Sequence, residues 1–222
     1  MPIIPHRIPF LFIYLTDMKS YITITCDIIN SSSVTSNIQK DFHKIIRNIN
    51  RLTSPKVPFM ITVWDEFQGI YESDYPIGRS IKWILRSMPY YRVRIGIGIG
   101  SIITPISKSS RCMYGNSVIN SRKAIDFCKE SDSTLRFIPS NSKYKYIDDY
   151  LKIISFYLDS FTLIQRRRVI MYRNGKSIRN IAKLENVSPN TIRNMLNIIY
   201  PKWIILEKGL YTLDKMSKVI GK

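Results

Sequence analysis

The chain has 222 residues, enough for one large domain or a medium and a small one, and its 45% apolar content excludes general disorder. A net charge of +18 points to polyanionic partners, nucleic acid before anionic membrane, with Lys enrichment from an AT-rich genome as the non-functional alternative. No apolar run reaches the ~18 residues of a membrane span. Three cysteines without CxxC spacing, Cys26, Cys112 and Cys128, argue against a disulfide framework or a zinc site and for a reducing cytosol. His6 and His43 lie far apart and form no HExxH-type cluster, which reads as two surface residues.

Residues 1–17 carry three prolines in the first nine positions and then a short apolar run, Phe10 to Leu15, with no cleavage site behind it. They read as a non-native or disordered extension with Met18 as the natural start, or else as an edge strand. Tyr21 to Ile29 reads as a buried strand interrupted by Asp27, with Asn30-Ser31-Ser32-Ser33 as its turn. Ser36 and Gln39 have capping-box spacing, and Ile38, Phe42, Ile45, Ile49 and Leu52 predict an amphipathic helix over 37–52. A hairpin follows: strand 58–64, a tip at Asp65-Glu66, and a return strand from Phe67 to Tyr71. Two adjacent carboxylates make poor core material but can hold a divalent cation, and neighbouring strands would let Asp27 and Asp65 face the same ion. The alternative is that these acids cap strands or pair with nearby Arg.

Ile77, Ile81, Ile84 and Met88 mark a second helix, stopped by Pro89. In Arg92 to Gly100 the apolar residues Val93, Ile95, Ile97 and Ile99 alternate with Arg94 and three glycines. The glycines lie within the strand, so this is no dinucleotide fingerprint; a helix packed on the glycine face is the preferred reading over a ligand. A third helix is predicted over 115–130, with Val118, Ile125 and Phe127 or Cys128 inward, then a short strand from Thr134 to Ile138 and a linker over 141–150.

The blocks Asp27-Ile28-Ile29-Asn30-Ser31-Ser32, Asp65-Glu66-Phe67-Gln68-Gly69, Arg94-Ile95-Gly96-Ile97-Gly98 and Gly115 to Arg122 resemble, in order and spacing, the SatD family. They are also distantly similar to class III nucleotidyl cyclase and GGDEF palm domains. That resemblance implies Asp27, Asp65 and Glu66 as ligands of a divalent cation (Mg or Mn), Arg122 as a phosphate contact and a nucleotide as ligand. Two departures weigh against turnover. Trp64 stands where such hairpins carry Gly, and Asn120 and Arg122 are two apart, so they do not share a helical face.

From Tyr150 the pattern becomes helical throughout. Ile154, Leu158, Phe161 and Ile164 predict a helix running toward Tyr172, and Ser177 caps a short helix through Leu184. Ser188-Pro189 opens a third helix over 189–199, ended by Pro201. This resembles the helix-turn-helix of regulators related to sigma-factor region 4. Asn190, Thr191, Arg193, Asn194 and Asn197 then form the outer face that meets DNA bases, with Val187, Ile192 and Leu196 beneath. Residues 151–222 carry 14 Lys and Arg against 4 Asp and Glu. Arg166, Arg167, Arg168, Arg173, Lys176 and Arg179 are the expected phosphate contacts, and residues 203–213 read as a hairpin wing turning at Lys208-Gly209. A protein-interaction or dimerisation module is the alternative.

The expected fold is therefore α+β: a palm-like (ferredoxin-like) sheet with flanking helices over 18–140, then a small all-α helix-turn-helix domain over 151–222. The expected function is a cytoplasmic DNA-binding regulator whose first domain binds a metal–nucleotide ligand or mediates pairing in a homodimer. Metal-dependent nucleotidyl transfer at Asp27 and Asp65 is the alternative.

Overall fold

The structure, a computed structural model, describes residues 19–29 and 38–217. The expected extension 1–17, the start at Met18 and the Ser36–Gln39 capping box lie outside the described residues.

Strands β1 (Ser20–Ile28), β2 (Val57–Val63), β3 (Glu66–Glu72), β4 (Val93–Ser101) and β5 (Leu135–Ile138) form one sheet in the order β2-β3-β1-β4-β5. Only the β4–β5 pair is parallel. Helices α1 (Ile38–Thr53) and α2 (Ile77–Ser87) follow β1 and β3, completing a βαββαβ unit of ferredoxin-like order. Alternation along β1 decides what each face packs against. Ile22, Ile24, Cys26 and Ile28 join Phe42, Ile46 and Ile49 of α1 and Ile77, Ile81 and Ile84 of α2 in one core.

The opposite face of β1 presents Thr23, Thr25 and Asp27 to α3 (Asn116–Glu130). The glycine face of β4 is filled by that helix, as the sequence predicts. A Cβ on Gly98 would sit 2.2 Å from the Ser121 backbone nitrogen, and one on Gly96 2.3 Å from the Ser121 carbonyl oxygen. The price of such close approach is a polar seam, because backbone this near leaves room only for small side chains. Thr23 Oγ1 donates to Ser117 Oγ at 2.9 Å, Thr25 and Ser121 share a 2.8 Å hydroxyl bond, and Thr25 Oγ1 donates to Gln68 Oε1 at 3.2 Å. Cys128 of α3 is buried and Phe127 exposed, which resolves the pair left open by the periodicity.

Four expectations for the second half need correction. First, 141–150 is not an extended linker. Ser142–Tyr144 is a 3₁₀ turn and α4 (Lys145–Asp159) starts immediately after it, with Ile147 and Leu151 fully buried. Second, no helix runs from Ile154 to Tyr172. The chain breaks at Ser160, and Thr162 opens α5 (Leu163–Arg173) with a reciprocal capping box to Gln165. Ile164 is consequently exposed.

Third and fourth, neither the stop at Pro201 nor the wing over 203–213 exists. After α6 (Ile178–Glu185) a single helix α7 runs Pro189–Ser217 through Pro201. An interior proline costs about 3 kcal/mol. Ile199, Trp203, Leu206, Leu210 and Leu213 are all buried on one face, and each contributes about 1.5–3 kcal/mol, so packing wins. Gly209, expected as a turn, packs on Ile154 of α4, and its carbonyl accepts the Tyr150 hydroxyl at 3.1 Å.

The helical half is therefore built onto the sheet half. Gly78 of α2 lies so near α7 that a Cβ there would stand 1.9 Å from the Leu210 carbonyl oxygen. The Arg79 backbone N–H donates to Asp214 Oδ1 at 3.1 Å. Arg166, at the start of α5, is buried; it donates to Asp159 Oδ1 at 2.9 Å and to the Leu158 carbonyl at 2.7 Å. Asp159 also accepts the Thr134 backbone N–H at 3.0 Å, tying α4 and α5 to the entry of β5.

Candidate functional sites

Two places gather the residues singled out by the sequence: the sheet end at the β2–β3 tip, and the outer face of α6 and α7.

At the sheet end, register places Asp27 of β1 between Glu66 of β3 and Arg94 of β4. Trp64 and Asp65 form the turn, and the Asp65 carbonyl accepts the Ile28 N–H at 3.2 Å, so Asp65 is indeed adjacent to Asp27 along the backbone. Trp64 does not need the freedom of glycine. Among the described non-glycine residues only Ser54, Asp132 and Asn186 have positive φ. The acids meet cations at once. Arg94 Nη1 lies 3.2 Å from Asp27 Oδ2 and Lys129 Nζ 3.6 Å from Asp27 Oδ1. Glu66 Oε1 accepts the Thr62 hydroxyl at 2.6 Å and stands 3.7 Å from Arg122 Nη2. Asn120 turns the other way and donates to the Ile99 carbonyl at 3.0 Å, as its spacing from Arg122 requires.

A divalent ion is implied here by the paired carboxylates and by the resemblance, and the side chains as placed do not fit one. Among the described residues no three His, Cys, Asp or Glu side chains gather into a metal-holding group. Asp27 faces two cations, and Arg122 faces Glu66 rather than an open phosphate position. Lys129 and Arg94, missed in the sequence, complete this cluster; the signal was present in the strand alternation that puts Arg94 on the face of Asp27.

At the helical face, α6 and α7 are joined by three residues. Asn186 takes the left-handed conformation (φ 53°) and Val187 N–H donates to the Ala182 carbonyl at 3.0 Å. Ser177 accepts the Asn180 N–H at 3.2 Å and Ser188 the Thr191 N–H at 3.1 Å, so both helices are capped where the sequence predicts. Ile192 and Leu196 are buried, while Asn190, Thr191, Arg193, Asn194 and Asn197 are exposed, with Arg193 Nη1 donating to Asn190 Oδ1 at 2.8 Å. Lys176 and Arg179 are exposed beside them.

The other expected phosphate contacts are engaged internally. Arg166 holds Asp159, Arg167 and Arg168 both hold Glu185 (2.5 and 3.1 Å), and Arg173 holds Glu207 at 2.5 Å. Burial pushes the Glu185 carboxyl up, but the two guanidiniums outweigh it and hold the group below its ordinary value.

The SatD family model matches residues 21–160, more than half of the chain and all five strands. The chain belongs to the SatD family. Two solved structures of a bacterial light-regulated adenylyl cyclase resemble this SatD-family chain at 14% and 15% identity, with TM-scores of 0.42 and 0.43. Each similarity covers 55% of this chain and 43% of the cyclase chain, so it spans less than half of those proteins. No curated protein matches the sequence. Among the described residues no helix of this SatD-family protein is long and apolar enough to cross a membrane.

Proposed function

We propose that this SatD-family protein is a DNA-binding regulator that reads duplex DNA with the N-terminal half of α7, on a sheet domain that does not catalyse nucleotidyl transfer. The observation that carries the reading is the division of α7. Ile192 and Leu196 face the core, while Asn190, Thr191, Arg193, Asn194 and Asn197 face solvent above them. Asn can pair with adenine and Arg with guanine at the major-groove edge, and Lys176 and Arg179 stand at the rim for phosphates. The capped α6–turn–α7 unit supplies the rigidity such readout needs. The competing reading, metal-dependent chemistry at Asp27 and Asp65, loses support because Arg94 and Lys129 already neutralise Asp27.

Selection of sites from a randomised duplex pool, followed by titration across salt concentrations, tests the proposal. Specific sites should be enriched, and affinity should fall with salt by about 0.9 in log–log slope per phosphate contacted. Replacing Asn190, Arg193 and Asn194 together by Ala should abolish site preference in a folded protein; retained preference would mean that another surface reads the DNA. Product analysis with nucleoside triphosphates and Mn²⁺ should find no turnover.

A further inference from the structure

Three depressions join along the outer side of α1. The first, of about 980 Å³, lies between α1 and β2 and is walled by Arg47, Arg111 and Trp64. Arg47 is shared with a second, of about 490 Å³, which adds Lys44 and Arg51. Arg51 is shared in turn with a third, also of about 490 Å³, which ends at Gly175, the residue before Lys176 of the helix-turn-helix rim. Among the described residues no Asp or Glu lines any of the three. Lys44, Arg47, Arg51 and Arg111 form no ion pair among the described residues, unlike the arginines of α5.

Two details select the occupant. β2 is an outer strand of the sheet, yet three of its outward polar groups are already taken. Asn50 of α1 accepts the Phe59 N–H at 2.7 Å and donates to the Phe59 carbonyl at 2.9 Å, and Arg111 Nε donates to the Ile61 carbonyl at 2.6 Å. An added peptide strand would meet an interrupted ladder there. At the hairpin tip, by contrast, Trp64 is 83% exposed at the mouth of a cationic groove. An indole presented in this way suits stacking on an unpaired base, which a duplex keeps inside its own stack.

We propose that this track binds a single strand of DNA, its phosphates following Lys44, Arg47 and Arg51 and one base stacking on Trp64. The choice of DNA over RNA rests on the helix-turn-helix reading, toward which the track leads; the rest stands on the charge and the exposed indole.

The test is fluorescence anisotropy of the full chain with an oligothymidine of about 15 nucleotides, the matching oligouridine, a duplex of equal length, and thymidine monophosphate as competitor. Trp64→Ala should weaken oligothymidine binding about tenfold, within the range expected for one lost stacked base. Lys44→Ala with Arg47→Ala should lower the salt slope by about 1.4, from about 0.7 per lost single-strand contact. Both variants should keep the wild-type melting temperature and duplex binding, and the Asn190, Arg193 and Asn194 variant should keep single-strand binding. The proposal fails if oligothymidine affinity is unchanged in both track variants or if it is lost only in the α7 variant. Competition by the monophosphate at oligonucleotide-like concentration would reduce the track to a nucleotide site, and tighter binding of oligouridine would overturn the choice of DNA.

Discussion

The sheet end and the outer face of α7 both collect polar side chains, but they differ in where those side chains find partners. At the sheet end Asp27 meets Arg94 and Lys129, and Glu66 meets Arg122, each cation coming from another element. Along α7 the outward Asn, Thr and Arg side chains bond only to near neighbours within the turn or helix, at Ser188–Thr191 and Asn190–Arg193. Ion pairs inside the fold explain the first set without any ligand. Among the described residues no other element pairs with the second set, and this is the surface that the proposed DNA reading uses. The arginines of α5 repeat the lesson: a run of three in sequence is no evidence for a phosphate surface once Asp159 and Glu185 are opposite them.

The comparison breaks most visibly if the two regions are not mechanically one body. Trp203→Ala, deep where α7 meets Phe161, should cost about 3–5 kcal/mol. Sheet and helical signals should melt together in that variant; two separated transitions in calorimetry would restore the expected division into independent domains. Next in size, the combined Asn190, Arg193 and Asn194 substitution should remove about 1–3 kcal/mol of base discrimination per lost contact while changing stability by no more than about 0.5 kcal/mol. A large loss of stability would show that this face is structural after all. Asp27→Asn should do the reverse, destabilising by about 1–3 kcal/mol because the partly buried Arg94 keeps only the more distant, exposed Asp132, with duplex affinity unchanged in titration.

Smaller effects sharpen the picture. Because the folded state holds the Glu185 carboxyl below its unfolded value, its contribution is fully present above that unfolded value and is lost as pH falls through the lower folded one. Glu185→Gln should therefore be less stable than wild type at neutral pH, and the difference should shrink on acidification in chemical denaturation series. Smallest of all, thiol titration of the native protein should count one fast group. Cys112 is exposed, whereas burial raises the Cys26 thiol well above its ordinary value and pushes Cys128 up to about 11. A second fast group, at Cys128, would mean that α3 does not stay seated on the sheet, and a third, at Cys26, that α1 and α2 lift from its other face.

Much of the fold was legible because it is carried by short-range patterns. A strand-like run before a Ser-rich turn identified β1 and alternation β4, the 3.6-residue period identified α1, α2 and α3, and Ser177 and Ser188 marked the starts of α6 and α7 through caps that involve residues only three apart. Even the helix over the β4 glycines followed from sequence, since a strand face without side chains must be filled by something close. The residues at the candidate sites were legible too, but not their partners.

Local signals at Pro201, Lys208-Gly209 and 141–150 read as stops, and tertiary packing overruled all three. A buried face of Ile199, Trp203, Leu206, Leu210 and Leu213 outweighs one missing hydrogen bond, a sum made available by the helices packed around α7. The Asp27–Arg94 pair likewise joins residues 67 apart through strand register. By itself, then, the sequence determined the strands and helices up to Ile138, the starts of α6 and α7, and which polar residues stand out. Whether a given carboxylate or guanidinium faces the fold or the solvent was decided by the tertiary structure, because an ion pair depends on distances that no local pattern contains.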